Sequence, residues 1–374
     1  MAADRRAPSP YLIQLLRRYT SGYWVLRHLY YALSPDVEGG CPNGGKLLQQ
    51  SLDFTTSLAP MTFMAKERDS ESLTNGSSCS PVVSIGMPLF NCEKTVANAL
   101  RSILKQTFQD WELLIIDDGS TDRTREVARS VGDARIRMIA DGEHKGLVTR
   151  LNQAIELSHG RYFARMDGDD IAFPNRLRRQ VEFLTENPNV DLVGCGVLVF
   201  GDNGIALGVR HVAENHAEAC RRPWAGFHLP HPTWMGRMGW FRSHRYDAKA
   251  IRAEDQELLL RTYSTSCFSC VPEILQGYRE DQIVLRNILR GRYSFTIAVL
   301  RHFFERKQYF TAFGGALEQC AKALVDVFAI STGLNHQILR HRARRPVRTE
   351  IVECWSDVWE RVQDQKEAIL SCVR

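Results

Sequence analysis

From residue 81 onward, short runs of apolar residues alternate with stretches in which apolar positions recur at helical spacing. Leu147, Leu151 and Ile155, for example, mark one face of a predicted helix. Continuous apolar strands separated by helices are typical of a mainly parallel sheet covered on both faces. The pattern therefore predicts an α/β fold. The predicted buried strands are 82–87 (ended by Pro88), 113–116, 136–139, 162–166 and 190–199.

The two ends of the chain differ from the rest in composition and in the spacing of apolar residues. Residues 11–33 mix leucines and aromatic residues with arginines, which suits a basic amphipathic helix on a membrane surface, a helix packed on the main domain, or an extension without fixed structure. Residues 39–80 are rich in Gly, Ser and Thr, as in a linker. Beyond 280 the apolar spacing becomes helical. We therefore predict an N-terminal extension and linker (1–80), a catalytic domain (81–280) and a helical C-terminal region (281–374).

Composition and charge exclude several classes of protein. The net charge of +5 is modest for 374 residues, so it does not predict nucleic-acid binding, although it suits a phosphate-bearing substrate or an anionic membrane surface. Ten irregularly spaced cysteines are typical of reduced thiols in a cytoplasmic protein. No apolar run reaches the roughly 18 residues of a membrane-spanning helix. We expect a cytoplasmic protein, with peripheral contact at the inner face of the cell membrane left open.

Two acidic clusters follow predicted strands. The segment 117–122 reads Asp-Asp-Gly-Ser-Thr-Asp, and the segment 167–170 reads Asp-Gly-Asp-Asp. Ligands bind at the carboxyl ends of the strands in such sheets. A carboxylate there can bind a nucleoside, and two carboxylates one residue apart can converge on Mg²⁺ or Mn²⁺, with Gly168 permitting the tight backbone. Either cluster alone is equally consistent with an acidic turn or a helix cap.

The ordered series of motifs resembles the inverting family 2 glycosyltransferases. The first half carries Val-Val-Ser-Ile at 82–85, Trp-Glu-Leu-Leu-Ile-Ile-Asp-Asp-Gly-Ser at 111–120, Lys-Gly at 145–146 and Met-Asp-Gly-Asp-Asp at 166–170. The match covers most of residues 81–278. It implies a GT-A (Rossmann-like) fold that transfers a sugar from a nucleotide-diphosphate sugar, with a uridine nucleotide expected.

The resemblance also implies roles for individual residues. The turn containing Pro88, Phe90 and Asn91 would contact the nucleoside together with Asp118. Asp167 would lie near the ribose and diphosphate, and Asp169 with Asp167 would hold the divalent metal. Lys145 would add positive charge beside the diphosphate, or is an ordinary surface lysine.

The segments that would bind the acceptor resemble the family less closely. The segment Ala-Glu-Asp-Gln-Glu-Leu at 253–258 resembles the family's Glu-Asp pair. Single-displacement transfer needs a base for the proton of the acceptor hydroxyl, and Asp255 is the predicted base with Glu254 in reserve. The alternative is an acidic pair favoured by a helix N-terminus. Residues 236–245 depart from the family, because they are rich in Gly, Trp and Arg where the family commonly has a helix.

Three functions are candidates for a sequence with these motifs. The first is an inverting, metal-dependent transferase acting on a glycan, lipid-linked or other hydroxyl acceptor in cell-surface polysaccharide biosynthesis. The second, a nucleotidyltransferase, would want a Gly-rich phosphate loop after the first strand, and residues 87–91 offer none. The third is a degenerate module of the same fold that binds nucleotide without turnover. Intact Asp118, Asp167, Asp169 and Asp255 favour the first.

Overall fold

A computed structural model describes residues 80–210, 212–280, 284–333 and 347–363. The chain divides into two compact units, Met1–Asn75 and Gly76–Arg374, and every described residue belongs to the second. The predicted N-terminal amphipathic helix and linker lie outside the described residues. The three domain boundaries given above stay predictions.

The core of the second unit is a nine-stranded sheet with the order β3-β2-β1-β4-β8-β6-β9-β5, in which β7 pairs with β6. Parallel pairing joins β3, β2, β1 and β4, whereas β8 runs antiparallel to both β4 and β6. The strands are β1 (Val83–Leu89), β2 (Trp111–Asp117), β3 (Ile136–Ala140), β4 (Tyr162–Arg165), β5 (Ile171–Ala172), β6 (Leu192–Phe200), β7 (Ala206–Arg210), β8 (Met235–Arg237) and β9 (Phe268–Arg279).

Helices cover the sheet and continue beyond it, which confirms the α/β class and the helical C-terminal region. Helices α3 and α6 pack on the same side of the sheet, against β1, β2 and β4. The helices are α1 (Val96–Leu104), α2 (Thr124–Arg129), α3 (Leu147–Leu157), α4 (Arg176–Glu186), α5 (His216–Ala219), α6 (Met238–Ser243), α7 (Glu254–Thr262), α8 (Leu285–Glu305), α9 (Tyr309–Ser331) and α10 (Thr349–Gln363).

Side chains of the central strands alternate between two hydrophobic cores, as the two-residue period of a strand requires. In β2, Leu113 and Ile115 join the core under α1, whereas Leu114 and Ile116 join the core under α3. Both faces are therefore apolar, which explains why the strand sequence is continuously apolar.

The first strand is longer than predicted. It runs through Pro88 to Leu89, whereas the sequence predicts that Pro88 ends it. The β1–β4 pairing stops at Gly86, while β2 stays paired with β1 as far as Leu89. The main-chain nitrogen of Pro88 faces the β4 side, because Gly86 O accepts from that side and Leu89 O accepts from the β2 side. A proline is tolerated there because β4 has already ended.

In the second half of the sheet, the apolar pattern predicts only β6. The short strands β5, β7 and β8 and the long strand β9 have no strong apolar run of their own. Residues 236–245, where the sequence departs from the family, contain the end of β8 and the helix α6. The helix after β2 begins at Thr124, two residues after the first acidic cluster.

The last described helix, α10, returns to the sheet. Trp355 is 2% exposed and packs against Phe200, at 4.7 Å between ring centroids. A Cβ on Gly277 of β9 would lie 2.5 Å from the Trp355 ring, so the glycine makes room for the indole. Among the described residues, no helix is long and apolar enough to cross a membrane.

Candidate active site

The loops that follow β1 and β2 are tied to each other. Asn91 adopts a left-handed backbone conformation, with φ of 48°. Its side-chain oxygen accepts a hydrogen bond from the Thr121 amide at 2.9 Å, and its own amide donates to Ser120 Oγ at 3.1 Å. The predicted nucleoside turn and the first acidic cluster therefore form one rigid edge of the sheet.

Asp118 lies at the centre of that edge and is 4% exposed. Its carboxylate accepts hydrogen bonds from the amides of Lys145 (2.7 Å) and Gly146 (3.0 Å) and from Nε of Arg150 (2.9 Å). Nδ1 of His144 lies 3.0 Å from the same carboxylate. Asp118 thus fixes the segment 144–146 above the sheet, and its predicted contact with the nucleoside stays a prediction.

An aromatic pair lies beside Asp118. The ring of Phe90, which is 47% exposed, lies with its centroid 4.4 Å from that of His144. Flat, accessible rings next to hydrogen-bonding groups are suited to stacking against a nucleobase. The sequence prediction included Phe90 and missed His144, because the partnership joins two loops far apart in the chain.

Lys145 lies among acidic side chains. Its Nζ is 2.8 Å from Asp141 and 3.0 Å from Glu143, and these two acids raise its pKa. The ammonium is therefore charged and partly neutralised by its neighbours. Its predicted position beside a diphosphate stays a prediction.

The second acidic cluster is seated on the loop after β1. A Cβ on Gly168 would lie 2.4 Å from Leu89 Cδ2, and the Gly168 carbonyl accepts from Thr95 Oγ1 at 2.9 Å. The carbonyl of the same Leu89 accepts the Asp118 amide at 2.8 Å. The tips of β2 and β4 therefore meet across the tip of β1.

Asp170 anchors this turn. It is 1% exposed and accepts from the Arg279 amide at 3.0 Å and from Gln276 Nε2 at 3.2 Å. Burial, and then the charges of Asp169 and Asp167, raise its pKa well above the usual range. Asp167 and Asp169 stay partly accessible. Three crowded carboxylates, two of them accessible, are a donor set that fits a divalent cation.

A buried arginine connects this turn to the acceptor side. Arg165, 5% exposed, places its guanidinium 2.9 Å from the Asp167 carboxylate. Burial alone would lower the pKa of Arg165, but the charges of Asp167 and of the Glu254–Asp255 pair raise it. The predicted metal ligand Asp167 and the predicted base Asp255 thus share the charge of one cation, Arg165. The sequence prediction did not include this arginine. The available signal was a single arginine in an otherwise apolar strand.

The Glu254–Asp255 pair opens helix α7. Burial, and then the charge of Asp255, raise the pKa of Glu254 to about 7. Nδ1 of His231 lies 3.9 Å from Glu254, and its Nε2 lies 2.8 Å from the Tyr246 hydroxyl. Burial and the charge of Arg165 lower the pKa of His231, which keeps this imidazole neutral at pH 7.

The same cluster offers a second donor set for a metal. One ligand atom each from His231, Glu254 and Asp255 lies within 4.8 Å of the others. The turn 167–170 offers only carboxylate side chains, whose oxygens are the ligands that Mg²⁺ and Mn²⁺ prefer, whereas this cluster includes an imidazole. The turn is therefore the better metal candidate, in agreement with the sequence prediction for Asp167 and Asp169, which stays a prediction.

Comparison with known proteins assigns this fold and site to a class. A model described as glycosyl transferase family 2 matches residues 84–245. The putative glycosyltransferase EpsE of Bacillus subtilis (strain 168) is 35% identical over 228 residues, which cover 59% of this chain and 78% of EpsE. The chain therefore belongs to glycosyl transferase family 2, and it is a glycosyltransferase with a GT-A fold.

Two further likenesses are partial. WfgD of Escherichia coli, named UDP-Glc:alpha-D-GlcNAc-diphosphoundecaprenol beta-1,3-glucosyltransferase, is 36% identical over 124 residues, which cover 33% of this chain and 49% of WfgD. The structure of S. aureus TarS 1-349 in complex with UDP-GlcNAc is 18% identical, with a TM-score of 0.48, covering 77% of this chain and 83% of that one.

Proposed function

We propose that this glycosyltransferase moves a sugar from a nucleotide-diphosphate sugar to a hydroxyl group, with inversion at the anomeric carbon and with the help of a divalent metal. One observation carries the proposal: the Asp167 carboxylate lies 2.9 Å from the guanidinium of the buried Arg165, and the charges of Glu254 and Asp255 act on the same guanidinium. A donor held by the turn and an acceptor held by the pair would then be neighbours.

The donor nucleoside is assigned to the edge formed by the loops after β1 and β2. Pro88, Phe90 and Asn91 come from the end of β1 and the loop after it. Asp118 and His144 lie beside them, with the Asp118 amide hydrogen-bonded to Leu89 and the Phe90 and His144 ring centroids 4.4 Å apart. Uridine is the proposed base, because the name of WfgD specifies a UDP-sugar donor. Lys145 is placed beside the diphosphate, where an ammonium would offset phosphate charge.

Asp169 and Asp167 would hold the metal, Mn²⁺ or Mg²⁺. When bound, such an ion neutralises the charge that develops on the departing nucleoside diphosphate. Arg165 holds the Asp167 carboxylate through its guanidinium. Asp170, buried and fixed by Arg279 and Gln276, keeps the turn in place without itself facing the donor.

Asp255 is the proposed general base. The acceptor oxygen forms its bond to the anomeric carbon as the bond from that carbon to the diphosphate oxygen breaks. The hydroxyl proton passes to Asp255, and the nucleoside diphosphate leaves with the electron pair. Glu254, whose pKa is raised to about 7, is partly protonated at neutral pH and is the reserve candidate.

The acceptor is proposed to be a glycan or a lipid-linked sugar in cell-surface polysaccharide biosynthesis, at the cytoplasmic side. The name of WfgD specifies a diphosphoundecaprenol-linked acceptor, which supports a lipid-linked sugar. A degenerate module that binds nucleotide without turnover is the alternative.

A donor screen followed by a turnover assay tests the proposal. The melting temperature would be measured with a panel of nucleotide sugars, with and without Mn²⁺, because a ligand of the native state raises it by mass action. Release of nucleoside diphosphate from the best donor would then be followed for the wild type, Asp169→Asn, Asp255→Asn and the exposed control Glu186→Gln.

We expect at least about a hundredfold loss of turnover in both aspartate variants and none in the control. Asp255→Asn should still bind donor and metal, whereas Asp169→Asn should lose the metal-dependent rise in melting temperature. Donor binding without release of nucleoside diphosphate by the wild type, with any acceptor, would instead support the degenerate module.

A further inference from the structure

Helix α9 turns its charged side chains toward the rest of the domain. Its three charged residues, Glu318, Lys322 and Asp326, are spaced four apart and share one face. Glu318 pairs with Arg222 at 2.7 Å and with Lys322 at 2.9 Å. Asp326 is buried and pairs with Arg292 of α8 at 3.1 Å. The inward face of α9 is therefore its polar face.

The opposite face of α9 is apolar and exposed. Phe310 is 92% exposed, Leu317 is 69% exposed and Leu324 is 70% exposed, with Phe313 and Phe328 between and beyond them. These positions follow at intervals of three, four or seven residues, so they form one stripe. An ordinary surface helix has the reverse arrangement. We call this stripe, with its continuation on α8, the outer face.

The outer face continues onto α8. Tyr293 and Ile297 are 70% and 47% exposed. At the turn between the helices, the ring of Phe304 lies 5.4 Å from that of Tyr309 and 5.3 Å from that of Phe313. Both helices thus expose apolar side chains, and their exposed faces meet in an aromatic cluster at the turn between them. Contiguous exposed apolar surface of this kind marks a binding surface.

The charge around the outer face is mainly positive. Among the described residues of α8, α9 and their connecting turn, five exposed residues are basic and only Glu305 is acidic. Arg306 and Lys307 lie at the aromatic turn, directly before Tyr309. Apolar and aromatic side chains bordered by basic ones are the composition of segments that lie on anionic lipid. The five basic residues are Arg286, Arg290, Arg301, Arg306 and Lys307. Arg301 pairs with Asp247 at 3.4 Å and with the buried Glu257 at 3.3 Å, so the basic border consists of the other four.

We propose that the outer face docks this domain on an anionic lipid surface, with α9 lying in the plane of the headgroups. Negatively charged headgroups complement the basic border, and the acyl boundary covers the apolar stripe. A symmetric pair of chains joined through this face would instead bring two positively charged borders together. The inference concerns a second surface and does not depend on which sugar is transferred.

Vesicle flotation of the full chain tests the proposal. Vesicles of phosphatidylcholine alone would be compared with vesicles of phosphatidylcholine and phosphatidylglycerol, at low and high salt. The test variant combines Phe310→Ser, Leu317→Ser and Leu324→Ser, and the matched control combines Ile205→Ser and Leu207→Ser, which are 59% and 43% exposed elsewhere. Because all five side chains are exposed, both variants should keep the wild-type melting temperature.

We expect the wild type and the control to float with anionic vesicles and to be released by salt. The test variant should bind at least about tenfold more weakly. Arg306→Glu combined with Lys307→Glu should also weaken binding to anionic vesicles. Asp169→Asn should float like the wild type, so failure of the proposed chemistry would leave this result unchanged.

Two outcomes would overturn the proposal. The first is wild-type protein that does not float, or a test variant that floats as well as the control. The second is a wild-type dimer in light scattering that the test variant converts to monomers, without vesicle binding by either. That result would assign the outer face to contact between copies of the chain.

Discussion

At the scale of single residues, the site depends on how Arg165 is neutralised. Its guanidinium is buried beside Asp167, and the Glu254–Asp255 pair contributes further negative charge. Removing one member of a buried ionic group leaves the others uncompensated, which costs more than the interaction itself contributes. The same cation therefore supports folding and links the turn 167–170 electrostatically to the Glu254–Asp255 pair.

Replacing Arg165 by methionine should reduce both stability and turnover. We expect a loss of about 3–5 kcal/mol in the free energy of unfolding, because three acids would lose their shared cation. Urea unfolding measures the first effect, and nucleoside diphosphate release measures the second. The control is Arg161→Met, an exposed arginine in the turn before β4, which should change both by little. Equal effects in the two variants would contradict the assignment.

The raised pKa of Glu254 makes the free energy of unfolding depend on pH in a defined direction. Its pKa is about 7 in the native state and 4.5 as a free side chain, so between these values the native state binds more protons than the unfolded state. The contribution of this group to the free energy of unfolding is therefore greatest below pH 4.5. It decreases as the pH rises through 7.

The variant Glu254→Gln should accordingly gain stability relative to the wild type as the pH rises from 4.5 to 7. The expected change in that difference is about 1–3 kcal/mol. Urea unfolding of both proteins across this range measures it, and subtracting the wild-type curve removes the contributions of the buried histidines. A difference that stays constant with pH would show that this carboxyl group titrates normally.

At the scale of elements, the turn between β4 and β5 is held by close packing. A Cβ on Gly168 would lie 2.4 Å from Cδ2 of Leu89, the last residue of β1, so Leu89 would have to shift. Since the amide of Asp118 donates to the carbonyl of the same leucine, a shift of Leu89 would disturb both acidic clusters together.

Gly168→Ala should therefore cost about 1–3 kcal/mol of stability through overpacking. It should also weaken donor binding, because the loops after β1 and β4 would move apart. Calorimetric titration with the best nucleotide sugar measures the second effect. Gly239→Ala, in helix α6 with open space around its Cβ position, is the control and should leave both quantities near their wild-type values.

The parallel half of the sheet was predictable from the sequence because β1, β2 and β4 are buried on both faces and read as apolar runs. The acidic clusters that follow β2 and β4 could be placed on one edge of the sheet for the same reason. The short strands β5 and β8 could not be found, since their pairing is set by contacts with distant segments. His144 and Arg165 were missed for a related reason: Phe90 and Asp118 lie far from His144 in the sequence, and Glu254 and Asp255 lie far from Arg165.

At the scale of the whole molecule, the chain closes on itself through α10. Trp355 fills the space above Gly277, and its Nε1 donates to the Gly204 carbonyl at 2.6 Å. Arg101 of α1 donates to the Val362 carbonyl at 2.9 Å. The last described helix thus joins the far end of the sheet to the first helix.

Trp355→Ala should lower the free energy of unfolding by about 3–5 kcal/mol, through lost burial and the cavity left behind. Hydrogen exchange should become faster in α10 and at the end of β9. The increase in β1 should be smaller. Val352→Ala, a partly exposed position on the same helix, is the matched control and should cost less than about 1 kcal/mol. Comparable losses in the two variants would contradict a closing role for Trp355.

Pro88 has a consequence for how the open tip of β1 behaves toward other chains. Past the end of β4, none of the described strands pairs with that side of β1, and an unpaired strand edge favours edge-to-edge aggregation. Proline has no amide hydrogen to offer an intruding strand at this position. Pro88 therefore protects the tip from strand addition, while the partly exposed Pro88 and the exposed Phe90 and Asn91 stay accessible to a small ligand.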